Sequence, residues 1–143
     1  PECFVQVGIR SPGRREALNY VQDQGGRIFT ARALRGLERA VDLAPITDTL
    51  RERLAAHGQP PLYISLDIDC LDPAFAPGTG TPEPGGLSTN QVLTMLEGLA
   101  ELPCVGMDCV EVAPPYDHAE LTSHAAATLV WTYLCGQRAR HPA

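Results

Sequence analysis

Apolar positions recur with two different periods along this chain. Cys3-Phe4-Val5-Gln6-Val7-Gly8-Ile9 is a short, β-rich run that predicts a buried strand. Arg10-Ser11-Pro12-Gly13 is turn chemistry. A weak helical pattern covers 14–24 and stops at Gly25-Gly26, and Arg27 to Thr30 offers a second, brief strand. Positions 31–40 are mixed and read as helical in part. A clearer helix is predicted over Pro45 to His57, where Ile46, Leu50 and Leu54 recur at i, i+4 and i+8 and Gly58 follows the end.

Leu62 to Asp69 carries the strongest strand pattern. Residues 70–87 then show no convincing element, and a loop of that length in a compact domain is functional or disordered. Pro73, Pro77, Pro82 and Pro84 restrict φ there, which favours order. Ser88-Thr89-Asn90-Gln91 is an S-x-x-Q capping box that starts a helix. Val92, Leu93, Leu96 and Leu99 give that helix its apolar face, and Pro103 stops it. Val105 to Val112 is a further strand ending at Ala113-Pro114-Pro115, and a last helix is expected from Leu121 to Gln137. Strands alternating with helices predict an α/β domain whose largely parallel sheet is covered on both faces. Ligands of such sheets bind beyond the carboxyl ends of the strands. Asp67 and Asp69 lie at one such end and Glu111 near another.

That placement turns attention to carboxylate chemistry. On a strand, positions 67 and 69 point the same way, so two carboxylates would repel unless a cation stood beside them. A divalent metal relieves the repulsion, and oxygen-rich sites suit Mg, Ca or Mn. The plain alternative is that both aspartates bond loop amides. Asp72, just before Pro73, reads as a residue that holds the turn. Glu111, between Val110 and Val112, needs a partner inside an apolar strand. That partner is either an arginine such as Arg10 or the cationic head of a substrate. Asp108 reads as structural. The histidines at 57, 118, 124 and 141 form no ligand-spaced pair, and His118 is expected in a surface loop. No G-x-S-x-G occurs, and GTGTPEPGG lacks the Lys-Ser/Thr of a phosphate loop.

Composition narrows the partners. With 11 Lys and Arg against 17 Asp and Glu, the formal net charge of −6 argues against nucleic acid or an anionic membrane and leaves room for a cation. No apolar run approaches the length of a membrane span, and no signal peptide is in view. The cysteines at 3, 70, 104, 109 and 135 form no CxxC pair, which is read as a reducing cytosol without a disulfide framework.

Taken as a set, these residues resemble a known family. SLDIDCLDPAFAPGTGTP, from Ser65 to Pro82, resembles the signature of the ureohydrolase (arginase/agmatinase) family. Val110-Glu111-Val112-Ala113-Pro114 resembles its second C-terminal motif, and Val5-Gln6-Val7-Gly8-Ile9-Arg10 is similar to the strand that opens its second half. The match looks most like the agmatinase branch. The resemblance implies a three-layer α/β/α sandwich with a binuclear manganese (Mn2+) centre. It implies hydrolysis of agmatine to putrescine and urea. It assigns Asp67 and Asp69 as metal ligands, Glu111 as the acid that holds the guanidinium, and Thr81 as a neighbour of that site. A cytoplasmic homo-oligomer acting on a small guanidino substrate is expected.

The GGDHS-type and DAHxD-type motifs that carry the family's other ligands do not occur here. Residues 1–143 are therefore expected to be the C-terminal part of a single ureohydrolase domain, with its N-terminal half missing. Alone, this part is expected to be inactive and to bind manganese poorly. The competing readings are a relative acting on 4-guanidinobutyrate or 3-guanidinopropionate, and a non-catalytic scaffold on the same half-fold.

Overall fold

A computed structural model describes residues 1–141. In chain order the elements are β1 (Val5–Ile9), α1 (Arg15–Asp23), β2 (Arg27–Thr30), α2 (Ala40–Ala56), β3 (Leu62–Asp67), α3 (Thr89–Leu99), β4 (Cys104–Val110) and α4 (Leu121–Arg140). Short 3₁₀ turns occupy Ala31–Leu34, Ile68–Cys70 and Pro114–Tyr116. The alternation of strand and helix is the one the periodicity predicts, and the two ladders, β1 with β2 and β3 with β4, are parallel.

Several boundaries differ from expectation: the first strand starts at Val5 rather than Cys3, the last helix runs on from Gln137 to Arg140, and three others have a local cause. The helix predicted from Pro45 starts at Ala40. The Arg39 guanidinium donates to both Asp42 carboxylate oxygens, at 2.8 and 2.9 Å, and the Asp42 and Leu43 amides donate to the Arg39 carbonyl. These contacts build a turn ahead of the proline. The strand predicted to Asp69 ends at Asp67, because the chain tightens into the 3₁₀ turn Ile68–Cys70. The strand predicted to Val112 ends at Val110, because Glu111 turns the backbone to φ 64°. Nor is the stretch 70–87 without pairing, since a parallel bridge joins Leu71 to Leu87 and an antiparallel one joins Thr79 to Val112.

The larger of two apolar clusters runs under the strands, and Leu50, Leu54, Leu102 and Cys104 form the smaller. Leu43 and Ile46 of α2, Val92, Met95 and Leu96 of α3, and Ala125, Ala126 and Leu129 of α4 close on Leu66, Ile68 and Leu71. The capping box forms as read: Ser88 Oγ accepts the Gln91 amide at 3.0 Å and Gln91 Oε1 accepts the Ser88 amide at 2.9 Å. Gln91 is buried, and its Nε2 also donates to the carbonyls of Leu34 and Leu37, both at 2.8 Å. A residue read as a local cap therefore also ties α3 to the segment after β2.

The sheet itself is split. A cavity of about 750 Å³ lies between β1 and β3, lined by Val5 to Val7 on one side and Leu62 to Asp67 on the other. Consecutive residues of each strand line it, so each strand presents an edge rather than a face. Tyr63 and Val110 of the β3–β4 ribbon remain exposed. The α/β class and the parallel ladders follow the expectation. Among the described residues the parallel sheet is present as two two-stranded ribbons.

Candidate metal and guanidinium site

The site is assembled where β3 and β4 end. Asp67 closes β3, and its Oδ1 accepts the Asp69 amide at 3.1 Å across the 3₁₀ turn. The Thr81 hydroxyl donates to Asp69 Oδ2 at 2.8 Å. Glu111 arrives from β4, and a Cβ placed on Gly80 would meet Glu111 Oε2 at 3.6 Å. The four residues singled out by sequence, Asp67, Asp69, Thr81 and Glu111, thus share one corner. Strand alternation does not set this arrangement, because the turn puts Asp69 in place. Burial pushes the Asp67 carboxyl above its usual range, and the carboxylates of Asp69 and Glu111 push the same way against the opposing Asp69 hydrogen bond. Burial is the larger cause, and the neighbouring negative charge adds to it.

The local framework explains why the loop is stiff. Asp72 accepts the amides of Ala74, Gly85 and Gly86 at 3.0, 2.7 and 3.2 Å, so it holds the turn as expected. The Thr79 hydroxyl donates to the Glu111 carbonyl at 3.0 Å, and the Ala113 amide donates to the Gly78 carbonyl at 2.8 Å. Gly78 itself is pressed against Asp117, where an added Cβ would come within 2.6 Å of Asp117 Cα. Its amide donates to the Thr122 hydroxyl at 2.7 Å. Asp117 in turn accepts the amides of Thr122 and Ser123, both at 2.9 Å, and so caps α4.

Several alternatives resolve here. Arg10 does not pair with Glu111: its guanidinium donates to backbone carbonyls, among them those of Asp69 at 2.6 Å and Glu83 at 2.7 Å. Asp108 accepts from the Tyr63 hydroxyl at 3.1 Å and the Ser65 hydroxyl at 2.7 Å, a cross-strand contact away from the four residues. His118 is exposed. Cys70 lies beside the aspartates, but burial, reinforced by Asp67 and Asp69, pushes its thiol up to about 12. That is opposite in direction to the lowered value of a nucleophilic thiol. Sequence reasoning passed over Thr79, Asp117 and Thr122. Asp117 had a readable signal, an acidic residue ahead of a helix start with Thr122-Ser123 in its first turn.

Asp67 and Asp69 supply hard oxygen donors suited to a divalent cation. Among the described residues, no group of three or more His, Cys, Asp or Glu stands in reach of one ion. The donors present therefore fit a part of such a site and do not complete it.

Residues 1–136 match the family model of the arginase family. The chain belongs to the arginase family. The agmatinase of Edwardsiella ictaluri is 44% identical over 140 residues, a match covering 98% of this chain and 41% of that protein. The crystal structure of a hypothetical agmatinase from Burkholderia thailandensis superposes with a TM-score of 0.82 at 39% identity, over 100% of this chain and 41% of the other. Proclavaminate amidino hydrolase from Streptomyces clavuligerus gives 0.77 at 43% identity, over 95% and 42%. This arginase-family chain thus spans about 41% of the length of curated relatives it matches. Among the described residues, no helix is long and apolar enough to cross a membrane.

Proposed function

We propose that this chain is the C-terminal part of a manganese-dependent ureohydrolase of the agmatinase type, which hydrolyses agmatine to putrescine and urea. The observation that carries the reading is the convergence of Asp67, Asp69, Thr81 and Glu111 at one corner of the strand ends. The similarity to proteins described as agmatinases supports the substrate choice. Asp67 and Asp69 would hold the metal together with donors from outside the described residues. Mn2+, when bound, supplies Lewis acidity that allows hydrolysis at neutral pH.

The chain's own residues do the rest. Glu111 offers a carboxylate that a guanidinium can meet with two parallel N–H donors. Its left-handed backbone aims it off the strand, and the Thr79 hydroxyl fixes its carbonyl. Thr81 takes one oxygen of Asp69, which narrows the directions from which a cation can approach that carboxylate. The proline-rich loop loses little freedom when a substrate binds, which favours affinity. The reading carries a cytoplasmic, homo-oligomeric enzyme and an isolated chain without activity.

The test is urea release by the longer protein carrying this chain, loaded with manganese and offered agmatine, 4-guanidinobutyrate and arginine side by side. Turnover of agmatine alone is expected. Turnover of 4-guanidinobutyrate instead would keep the chemistry and change the substrate. Neither urea nor bound manganese would leave a non-catalytic scaffold.

A further inference from the structure

Arg10 is set among the carboxylates and carbonyls beyond β3, yet it forms no ion pair among the described residues. Its acceptors are all main-chain oxygens. Nη2 donates to the carbonyls of Asp69 at 2.6 Å, Leu71 at 3.2 Å and Glu83 at 2.7 Å. Nε adds a second bond to Glu83 at 2.9 Å, and Nη1 reaches Cys70 at 3.4 Å and Gly8 at 3.5 Å. Three segments far apart in sequence meet at this guanidinium: the end of β1, the 3₁₀ turn after β3, and the loop that carries Thr81.

We propose that Arg10 is a positioning residue for the cation site, setting the Asp69 carboxylate through its carbonyl and holding the Thr81 loop against it through Glu83. This rests on the reading of Asp67 and Asp69 as cation ligands. Asp69 is then fixed on three sides: Arg10 on its carbonyl, Asp67 on its amide and Thr81 on its carboxylate. Asp67 belongs to the β3–β4 ladder and stays put without Arg10, whereas Asp69 lies in a three-residue turn. The carbonyls that end such a turn have no partner within it, and a guanidinium fork can take several at once. An ammonium is a point charge and cannot reproduce that fan.

The experiment uses the 143-residue chain, labelled with ¹⁵N, as the Arg10→Lys and Arg10→Ala variants beside the unaltered protein. Arg53→Ala is the control, because Arg53 also holds main-chain carbonyls, those of Glu2 and Gly25. Without metal, exchange of the Asp69 amide is expected to quicken at least tenfold in Arg10→Lys, while the Gln91 amide in the capping box is unchanged. With trace Mn2+ as the probe, weak paramagnetic broadening in the unaltered chain is expected to centre on Asp67, Asp69 and Thr81 together. In Arg10→Lys more Mn2+ should be needed for the same broadening at Asp67, because Asp69 is no longer held beside it. Equal Asp69 exchange in Arg10→Lys and the unaltered chain overturns the proposal, as does an Arg53→Ala control that changes Asp69 to the same degree. If Mn2+ broadens nothing near Asp67 in any variant, the cation reading of this chain falls, and Asp69 exchange alone decides the role of Arg10.

Discussion

Glu111 is the residue where backbone conformation and chemistry conflict. Its φ of 64° is left-handed, which costs a non-glycine residue on the order of 1–2 kcal/mol. Glycine would adopt the same angle freely, at some cost in unfolded-state entropy. We therefore predict that Glu111→Gly raises stability by up to about 1 kcal/mol in urea unfolding, while, on the function proposed above, guanidinium binding is lost. A loss of stability instead would mean that the side chain, and not the turn, holds this position. Asp117 gives a pH prediction. Burial raises its pKa, but the amides of Thr122 and Ser123 and the Ser123 hydroxyl outweigh that, so it lies below the usual carboxylate range. A depressed carboxylate contributes stability above its unfolded value of about 3.9 and loses it as pH falls toward the folded value. The unfolding midpoint should drop between about pH 5 and pH 3, and it should drop less in Asp117→Asn. An identical acid limb in the variant would remove Asp117 from the account.

Elements here are ended by side chains as much as by periodicity. Ser88 caps α3, and Ser88→Ala should cost about 1 kcal/mol, read as a shift of the urea midpoint without a change of slope. The hydroxyl also donates to Glu38 at 3.0 Å, so a loss near zero would show that the cap is replaceable. Gly78 is the joint between the proline-rich loop and the N-terminus of α4. Gly78→Ala would drive a methyl into the Asp117 backbone, so the loop must leave α4. We expect a loss of about 1–3 kcal/mol, as for other overpacked sites, accompanied by faster amide exchange at Thr79. Retained protection at Thr79 would place the give in α4 instead.

At the scale of the whole molecule, the two ladders do not join. β1 and β3 each keep an edge toward the intervening cavity, and Trp131 and Leu134 of α4 stand about half exposed or more. Unpaired edges and apolar surface of this kind favour association. The chain alone is expected to bind a hydrophobic dye such as ANS and to elute from size exclusion at a mass that rises with concentration. A concentration-independent monomer that binds no dye would show that the cavity closes in solution.

Much of this was legible in the residues. Period-2 and period-3.6 patterns located every strand and long helix, because they report which face of a local element is buried. The capping box at Ser88, the bond from the Ala74 amide to Asp72 and the Asp67–Asp69 pair at the end of β3 depend on neighbours within a few positions, so the sequence by itself determined them. Only the tertiary structure decided that Asp69 sits in a 3₁₀ turn, that Glu111 leaves its strand left-handed, and that Arg10 serves carbonyls rather than a carboxylate. Those outcomes depend on contacts between segments such as Arg10 and Asp69, separated by 59 residues. No local period encodes such a meeting, because it is set by how the packed elements bring distant main-chain oxygens within reach of one guanidinium.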